Sequence, residues 1–453
     1  MSVVEPRQIA HLPLPPAVPL LEGYRLLRRS PPEALLQIAR EHGDVVRWRG
    51  VQTIYCLNHP EYVRQVLTQS WPRYSKDTID YRVVGRTLGK GLVTNDGPDW
   101  AKQRRLMQPV FANRSIDKFD GVINEMTAQL IDSWTHKRAD ETVWLDRDMS
   151  RVTFQVVSRT LFGADIDDAA DEMTKILHIV NQHPLRIASL LTLFPWLPVP
   201  SNRRFAHIKA RLDAIVDGLV DQRRAQGDQG RGDIVDRLLA ARDADSGEGM
   251  SREQMRDELI TLLLAGHETS ATALVWTYHL LGQHPDIEAR LVEELSRELG
   301  GRAALSADLP RLPYLKQVVQ ESMRLYPPVW GIARRAHEEA EFGGYRVPAG
   351  AYISISMYAL HRHPDYWPQA DRFDPDRFDT KRNEQRHSYC YIPFSAGPRA
   401  CIGASMAMLE IQLVLAQLLQ RFRVKPLPGF KVVPQAVVTF KTRAGMPVTI
   451  TPR

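Results

Sequence analysis

A mainly α fold with a small β region is what the sequence predicts, and three observations carry it. From Pro98 onward apolar residues recur at helical spacing in one run after another. One run, Ser251 to Gly282, is long enough for a rod of roughly 45 Å at the helical rise per residue, and its middle is apolar. Strand-like alternation, by contrast, is confined to short patches, Asp44 to Leu57 and Val347 to Met357. A hydrophobic content of 43% with 25% charged residues supports a folded chain and excludes a largely disordered one.

The chain opens with a proline-rich lead over residues 1–30. Pro13, Pro15, Pro16 and Pro19 interrupt its first apolar stretch, so no bilayer-spanning helix is expected there. A basic segment leading an apolar one is also missing, so neither a signal peptide nor a transmembrane anchor is expected. Helical spacing follows over Pro31 to His42, then a hairpin over Asp44 to Leu57 turning near Gly50, then a short helix over Pro60 to Thr68. Trp71 to Asn95, with Gly85, Gly89 and Gly91, shows little periodicity. Helices are expected over roughly 98–110, 115–136, 149–162, 168–182, 202–226 and 232–243. Between them, Ser189 to Pro200 is unusually apolar for a loop, and its three prolines forbid a regular helix.

The long helix starts with Ser251 and Gln254 in the spacing of a capping box, and Arg252 to Glu258 gives way to Leu259-Ile-Thr-Leu-Leu-Leu264. A helix from Pro285 and another from Tyr314 to Leu325 follow, the latter stopped by Tyr326-Pro327-Pro328. Pro364 to Asn383 is irregular, and Ala404 to Leu419 reads as a buried helix. No internal repeat is present.

A net charge of +6 spread over 453 residues, without basic clusters interleaved with aromatics, excludes a nucleic-acid-binding module. Three cysteines, Cys56, Cys390 and Cys401, are too few and scattered for a disulfide framework, which fits a cytoplasmic protein. Cys390 sits in Tyr389-Cys390-Tyr391-Ile392-Pro393 without glycine or arginine and reads as structural. Cys401 differs. The ten residues Phe394-Ser-Ala-Gly397-Pro-Arg399-Ala-Cys401-Ile-Gly403 read as a loop presenting one thiolate to a metal. Gly397 and Gly403 allow backbone N–H groups near the sulfur, Arg399 adds positive charge, and the following helix offers its N-terminus to an anion.

This Phe-x-x-Gly-x-Arg-x-Cys-x-Gly pattern resembles the haem-ligand signature of the cytochrome P450 family, with all five defining positions filled. By composition, such a match arises by chance in about one chain in a few thousand. The resemblance implies the cytochrome P450 fold: one triangular haem domain over residues 1–453, without a fused reductase. Cys401 would bind the iron of haem b (iron protoporphyrin IX), with Phe394 and Gly403 beside it.

Two further segments fit. Ala265-Gly266-His267-Glu268-Thr269 resembles the family's Ala/Gly-Gly-x-Asp/Glu-Thr motif, implying oxygen binding beside Thr269 and proton delivery supported by Glu268. From the residues themselves, Gly266 removes a side chain so that a flat ligand can approach, and Thr269 can bond a carbonyl one turn back. His267 takes the variable position and reads as a neighbour of the site, because the chemistry needs that iron face open. Glu321-Ser-Met-Arg324 resembles the family's Glu-x-x-Arg, with Arg377 of Pro375-Asp-Arg377-Phe378 completing a buried structural group.

Haem propionates need cationic partners. The resemblance points to Trp100 and Arg104, a helical turn apart, and to Arg334 and Arg399. Gln103 stands where many relatives have histidine. Leu262, Ala265, Thr269, Val329, Trp330 and Ile332 are the expected pocket residues, and their apolar character implies a small, mainly apolar organic substrate.

The implied activity is a haem-thiolate monooxygenase that inserts one oxygen atom from O2 by C–H hydroxylation or epoxidation. Its electrons would come ultimately from NAD(P)H, through a ferredoxin or flavodoxin with its reductase, reaching a monomeric enzyme. Lys102, Arg105 and Arg114 are a candidate docking surface. Two other readings are a haem-thiolate isomerase or dehydratase, which an intact Glu268-Thr269 pair argues against, and a haem sensor or carrier, which needs no proton relay.

Overall fold

The computed structural model describes residues 9–26, 29–50, 52–112, 117–138, 140–163, 199–227 and 232–453. The expected helix over 168–182, most of the apolar stretch from Ser189, and Arg114 lie outside the described residues. The described parts of Met1–Asp80, Gln317–Cys401 and Pro434–Lys441 form one compact unit, and those of Tyr81–Lys316, Ile402–Val433 and Thr442–Arg453 form a second.

The first unit is built on a five-stranded sheet. Its strands run in the order Val45–Trp48, Ile54–Leu57, Tyr352–Ile355, Ile332–Ala336 and Tyr74–Ser75. The expected hairpin closes antiparallel, pairing Val45 with Leu57 and Trp48 with Ile54. Ile54–Leu57 then runs parallel to Tyr352–Ile355. Alternation sends Tyr55, Leu57, Ile353 and Ile355 into one apolar cluster with Val63, Leu67 and Ile392. Val46 and Cys56 enter another with Val18, Ala34, Leu35 and Ile38. Both faces of the sheet are therefore covered, and the period of two that marks a strand is visible in the split.

The second unit is helical and centred on Arg252–Gln283. Its start is fixed as expected: Ser251 Oγ accepts from the Gln254 N–H at 3.1 Å, and Gln254 Oε1 accepts from the Ser251 N–H at 3.0 Å. Packed on it are Leu145–Phe162, Pro200–Gln226 and Ala404–Arg421. It is also the one described helix long and apolar enough to cross a membrane, but two-thirds of its apolar window, 67%, is buried inside the protein. A core helix explains that composition without a bilayer.

Several expectations need correction. Trp71 to Asn95, which shows little periodicity, contains the helix Ile79–Leu88. The proline-rich lead carries a helix over Leu20–Leu26. The run from Val347 to Met357 divides between the end of one strand, a turn at Gly350 with φ of 76°, and the strand Tyr352–Ile355.

Candidate active site

The segment leading to Cys401 is a strained loop. Ser395 takes φ of 61°, rare for a residue with a side chain, and Gly397 takes 71°. A Cβ on Gly397 would overlap the Leu67 carbonyl oxygen, so glycine is required there by both torsion and space. Gly403 is different: its φ is −90°, and an added Cβ would meet no protein atom within 4 Å. The loop is closed by hydrogen bonds from Ser395 N to Ile392 O and from Cys401 N to Phe394 O, both 2.9 Å. Through Ile402 and Gly403, Cys401 leads directly into the helix Ala404–Arg421.

Three cysteines thus have two fates. Cys56 and Cys390 are buried, and burial pushes both thiols up to about 12. Neither can be a thiolate near neutrality, as expected for structural cysteines. Cys401 is exposed, on a loop whose residues from Pro393 to Gly403 are nowhere fully buried. Beside it, Arg399 donates to the Tyr74 carbonyl at 2.6 Å and lies 5.1 Å over the Trp71 ring. Arg334 is buried on the strand Ile332–Ala336 and donates to the Ala333 carbonyl.

Behind the loop the first unit buries an ionic cluster. Glu321 and Arg324 have no exposed surface and form a two-point pair at 2.6 and 2.8 Å. Arg377 approaches Glu321 at 3.4 Å, and the Asp374 N–H donates to it at 2.9 Å. Arg324 also donates to the carbonyls of His361, Ala370 and Arg372, so the guanidinium ties two further stretches of chain to its own helix. Burial raises the Glu321 carboxyl and the Arg324 charge opposes that rise. The expected group of three is therefore brought together. Two members were not anticipated. Arg362 bonds Asp371 and the Leu325 carbonyl, and the buried His361 accepts from the Ile392 N–H at 3.0 Å.

In the second unit, Thr269 donates to the Ala265 carbonyl at 2.6 Å, as its position one turn on predicts. Ala265 is exposed in the middle of a largely buried helix, while Leu262, Gly266, Glu268 and Thr269 are half-buried. Gly266 has a protein neighbour that sequence reasoning missed: its Cβ would sit 3.0 Å from Val157 Cγ2, so glycine admits the helix Leu145–Phe162. His267 points to the same helix, bonding Ser150 at 2.7 Å and meeting Phe154 edge-on.

Glu410, on Ala404–Arg421, is a further missed residue. It is fully enclosed, and burial pushes its carboxyl up to about 8, with the Ser270 side chain acting in the opposite direction. A glutamate in a helical run reads from sequence as a solvent-facing charge, which hid it.

Trp100 is buried and Arg104 half-buried on the helix Gly97–Met107. Gln103 between them is buried and binds Asn95 at 2.8 Å and the Lys90 carbonyl at 2.9 Å, so it ties this helix to the preceding turn. Lys102 pairs with Glu248, and Arg105 with Asp243 and Asp245, so the two described cations of the candidate docking surface already have acidic partners. Among the expected pocket residues, Val329 and Ile332 pack against the sheet core. The Trp330 indole donates to the Val437 carbonyl at 3.0 Å and packs on the Val18 cluster, which gives it a structural task.

Comparison with known proteins gives the class. A family model described as "Cytochrome P450" matches residues 12–440, and the chain belongs to that family. The fold agrees: a crystal structure of a "cytochrome P450DA heme domain" superposes with a TM-score of 0.88 over 98% of both chains, at 26% identity. Relatives narrow the chemistry. "Cyclooctatin synthase" of Streptomyces melanosporofaciens is 38% identical over 95% of this chain and 93% of its own. "Cyclooctat-9-en-7-ol 5-monooxygenase" of the same organism is 37% identical over 92% and 90%, and "Pentalenene oxygenase" of Streptomyces avermitilis 33% over 94% of each. The protein is a cytochrome P450 monooxygenase, a haem iron oxidoreductase.

Proposed function

We propose that this enzyme hydroxylates or epoxidises a small, mainly apolar, cyclic organic substrate, with Cys401 as the iron ligand. The observation that carries the ligand assignment is the contrast among cysteines: Cys401 alone is exposed, on a strained loop, while burial keeps the other two thiols protonated. The donor set therefore fits haem. A haem bound through a thiolate supplies oxygen activation, with the sulfur pushing electron density toward the O–O bond. Within one haem domain spanning the chain, Trp100, Arg104, Arg334 and Arg399 would hold the propionates, and Phe394, Gly403, Ala265 and Gly266 would pack on the ring.

Thr269 holds a proton at Oγ1, kept in place by its bond to the Ala265 carbonyl, and half-buried Glu268 replenishes that proton from solvent. Exposed Ala265 and half-buried Leu262 offer an apolar surface to substrate. Val329, Trp330 and Ile332 contribute from the start of the strand Ile332–Ala336 and the turn before it. Two relatives carry substrate names, pentalenene and cyclooctat-9-en-7-ol, that describe an alkene and an alkenol. That chemistry supports an apolar ring compound here.

Electrons come from NAD(P)H through a separate ferredoxin or flavodoxin and its reductase, in the cytoplasm. Reduced protein treated with carbon monoxide is expected to show the red-displaced Soret band of thiolate ligation, and Cys401→Ser to lose it. A band retained in Cys401→Ser refutes the assignment. Turnover of an alkene should require both oxygen and the electron donor, and Thr269→Ala should keep consuming reductant while forming little product.

A further inference from the structure

We propose that His361 is a positioning residue for Cys401, acting as the neutral acceptor that ties the cysteine loop to the buried ion pair. The connection is continuous within the first unit. Arg324 Nη1 donates to the His361 carbonyl at 2.9 Å, and His361 Nε2 accepts from the Ile392 N–H at 3.0 Å. Ile392 O accepts from Ser395 N, and Phe394 O accepts from Cys401 N. Ile392 is thus held from both sides, by imidazole at its N–H and by the loop at its carbonyl.

The loop needs such a hold because it stores strain at Ser395 and Gly397, and strained torsions persist only where their surroundings over-determine them. His361 can accept only in its neutral form. Two features keep it neutral: it has no exposed surface, and the guanidinium groups of Arg324 and Arg362 face it, which together outweigh the opposing pull of the Met323 and Arg324 backbone. Burial and those two arginines press the imidazole down to about 3, so protonation does not compete with the acceptor role near neutrality. The ring packs 5.1 Å from Tyr391, whose hydroxyl bonds the Gln320 carbonyl, which fixes its plane.

This inference rests on Cys401 being the ligand, and the test separates the two. Four holoproteins are compared by the carbon monoxide spectrum of the ferrous form, reading the share of haem in the red-displaced Soret band, and by thermal midpoint. They are wild type, His361→Leu, His361→Asn and His361→Gln. Glutamine carries an amide oxygen about as far from the backbone as Nε2, whereas asparagine stops a methylene short. The red-displaced share is expected to fall several-fold in the leucine and asparagine variants and to stay near wild type in the glutamine variant. Should the leucine variant fail to fold, the asparagine and glutamine pair, equal in chemistry and different in reach, carries the comparison. An asparagine variant with the wild-type spectrum, or a glutamine variant as impaired as asparagine, overturns the proposal. Absence of the band in wild type would instead refute the ligand assignment itself.

Discussion

The ion cluster of the first unit and the helix pair Arg252–Gln283 and Ala404–Arg421 of the second both bury carboxyl groups, in opposite ways. Glu321 lies between Arg324 and Arg377 and accepts a backbone N–H as well, so its charge is matched on every side. Glu410 has a serine beside it and is driven toward its protonated form. The first arrangement serves rigidity: a matched ion pair ties distant stretches of chain into one piece behind a strained loop. The second keeps a proton inside the protein. One carboxyl is buried with its charge matched, the other with its proton kept.

The largest effect should come from unbalancing the matched cluster. Glu321→Gln leaves two guanidinium groups buried with one carboxylate fewer, and removing one partner of a buried pair typically costs about 3–5 kcal/mol. Urea unfolding should show that loss together with reduced haem content. The exposed pair Arg64 and Glu61 is the control, since solvent screening leaves little to lose on breaking it. Equal losses in both variants would remove the distinction between matched burial and surface pairing.

A smaller effect is expected from the loop's two glycines. Gly397→Ala forces a side chain into a positive φ and onto the Leu67 carbonyl, and strain of this kind costs about 1–3 kcal/mol. Gly403→Ala faces open space at an ordinary φ and changes only an N-cap preference, costing less than about 1 kcal/mol. Thermal unfolding of the two holoproteins ranks them. If Gly403→Ala proves the more damaging, the requirement at that position comes from the haem rather than from the protein.

What was legible in the sequence follows from how far apart the cooperating residues lie. Cys401, Gly397 and Arg399 share one decapeptide, Glu321 and Arg324 share one helical turn, and Ser251 caps its own helix. Each lies within a short segment, where local spacing or a family motif can reach it. His361 meets Ile392 across 31 positions and Gln103 reaches back to Lys90 across 13, and no local period reports such pairs. The strand Ile332–Ala336 was hidden for another reason: Arg334 and Arg335 interrupt the apolar alternation, although Arg334 is buried. Gly266 was noticed, but its packing against Val157 belongs to tertiary structure.

The unmatched carboxyl gives the prediction that depends most on conditions. Glu410 rises from the usual carboxylate range to about 8 in the folded protein, because enclosure disfavours its charged form. Unfolding returns it to water and to an ordinary value near 4.5. Between these limits the folded state binds a proton that the unfolded state releases, so this group makes stability fall as pH rises. Near pH 5 the folded state is protonated and the pH is only half a unit above the unfolded carboxyl's own value, so the penalty is still small. Near pH 8 it is almost complete. Glu410→Gln keeps the shape without the acid, so it should stabilise the protein by about 1–3 kcal/mol near pH 8 and by little near pH 5. Paired urea titrations at the two pH values measure the difference. A gain of the same size at both would mean that Glu410 is not held protonated, and the contrast with Glu321 would then be one of packing alone.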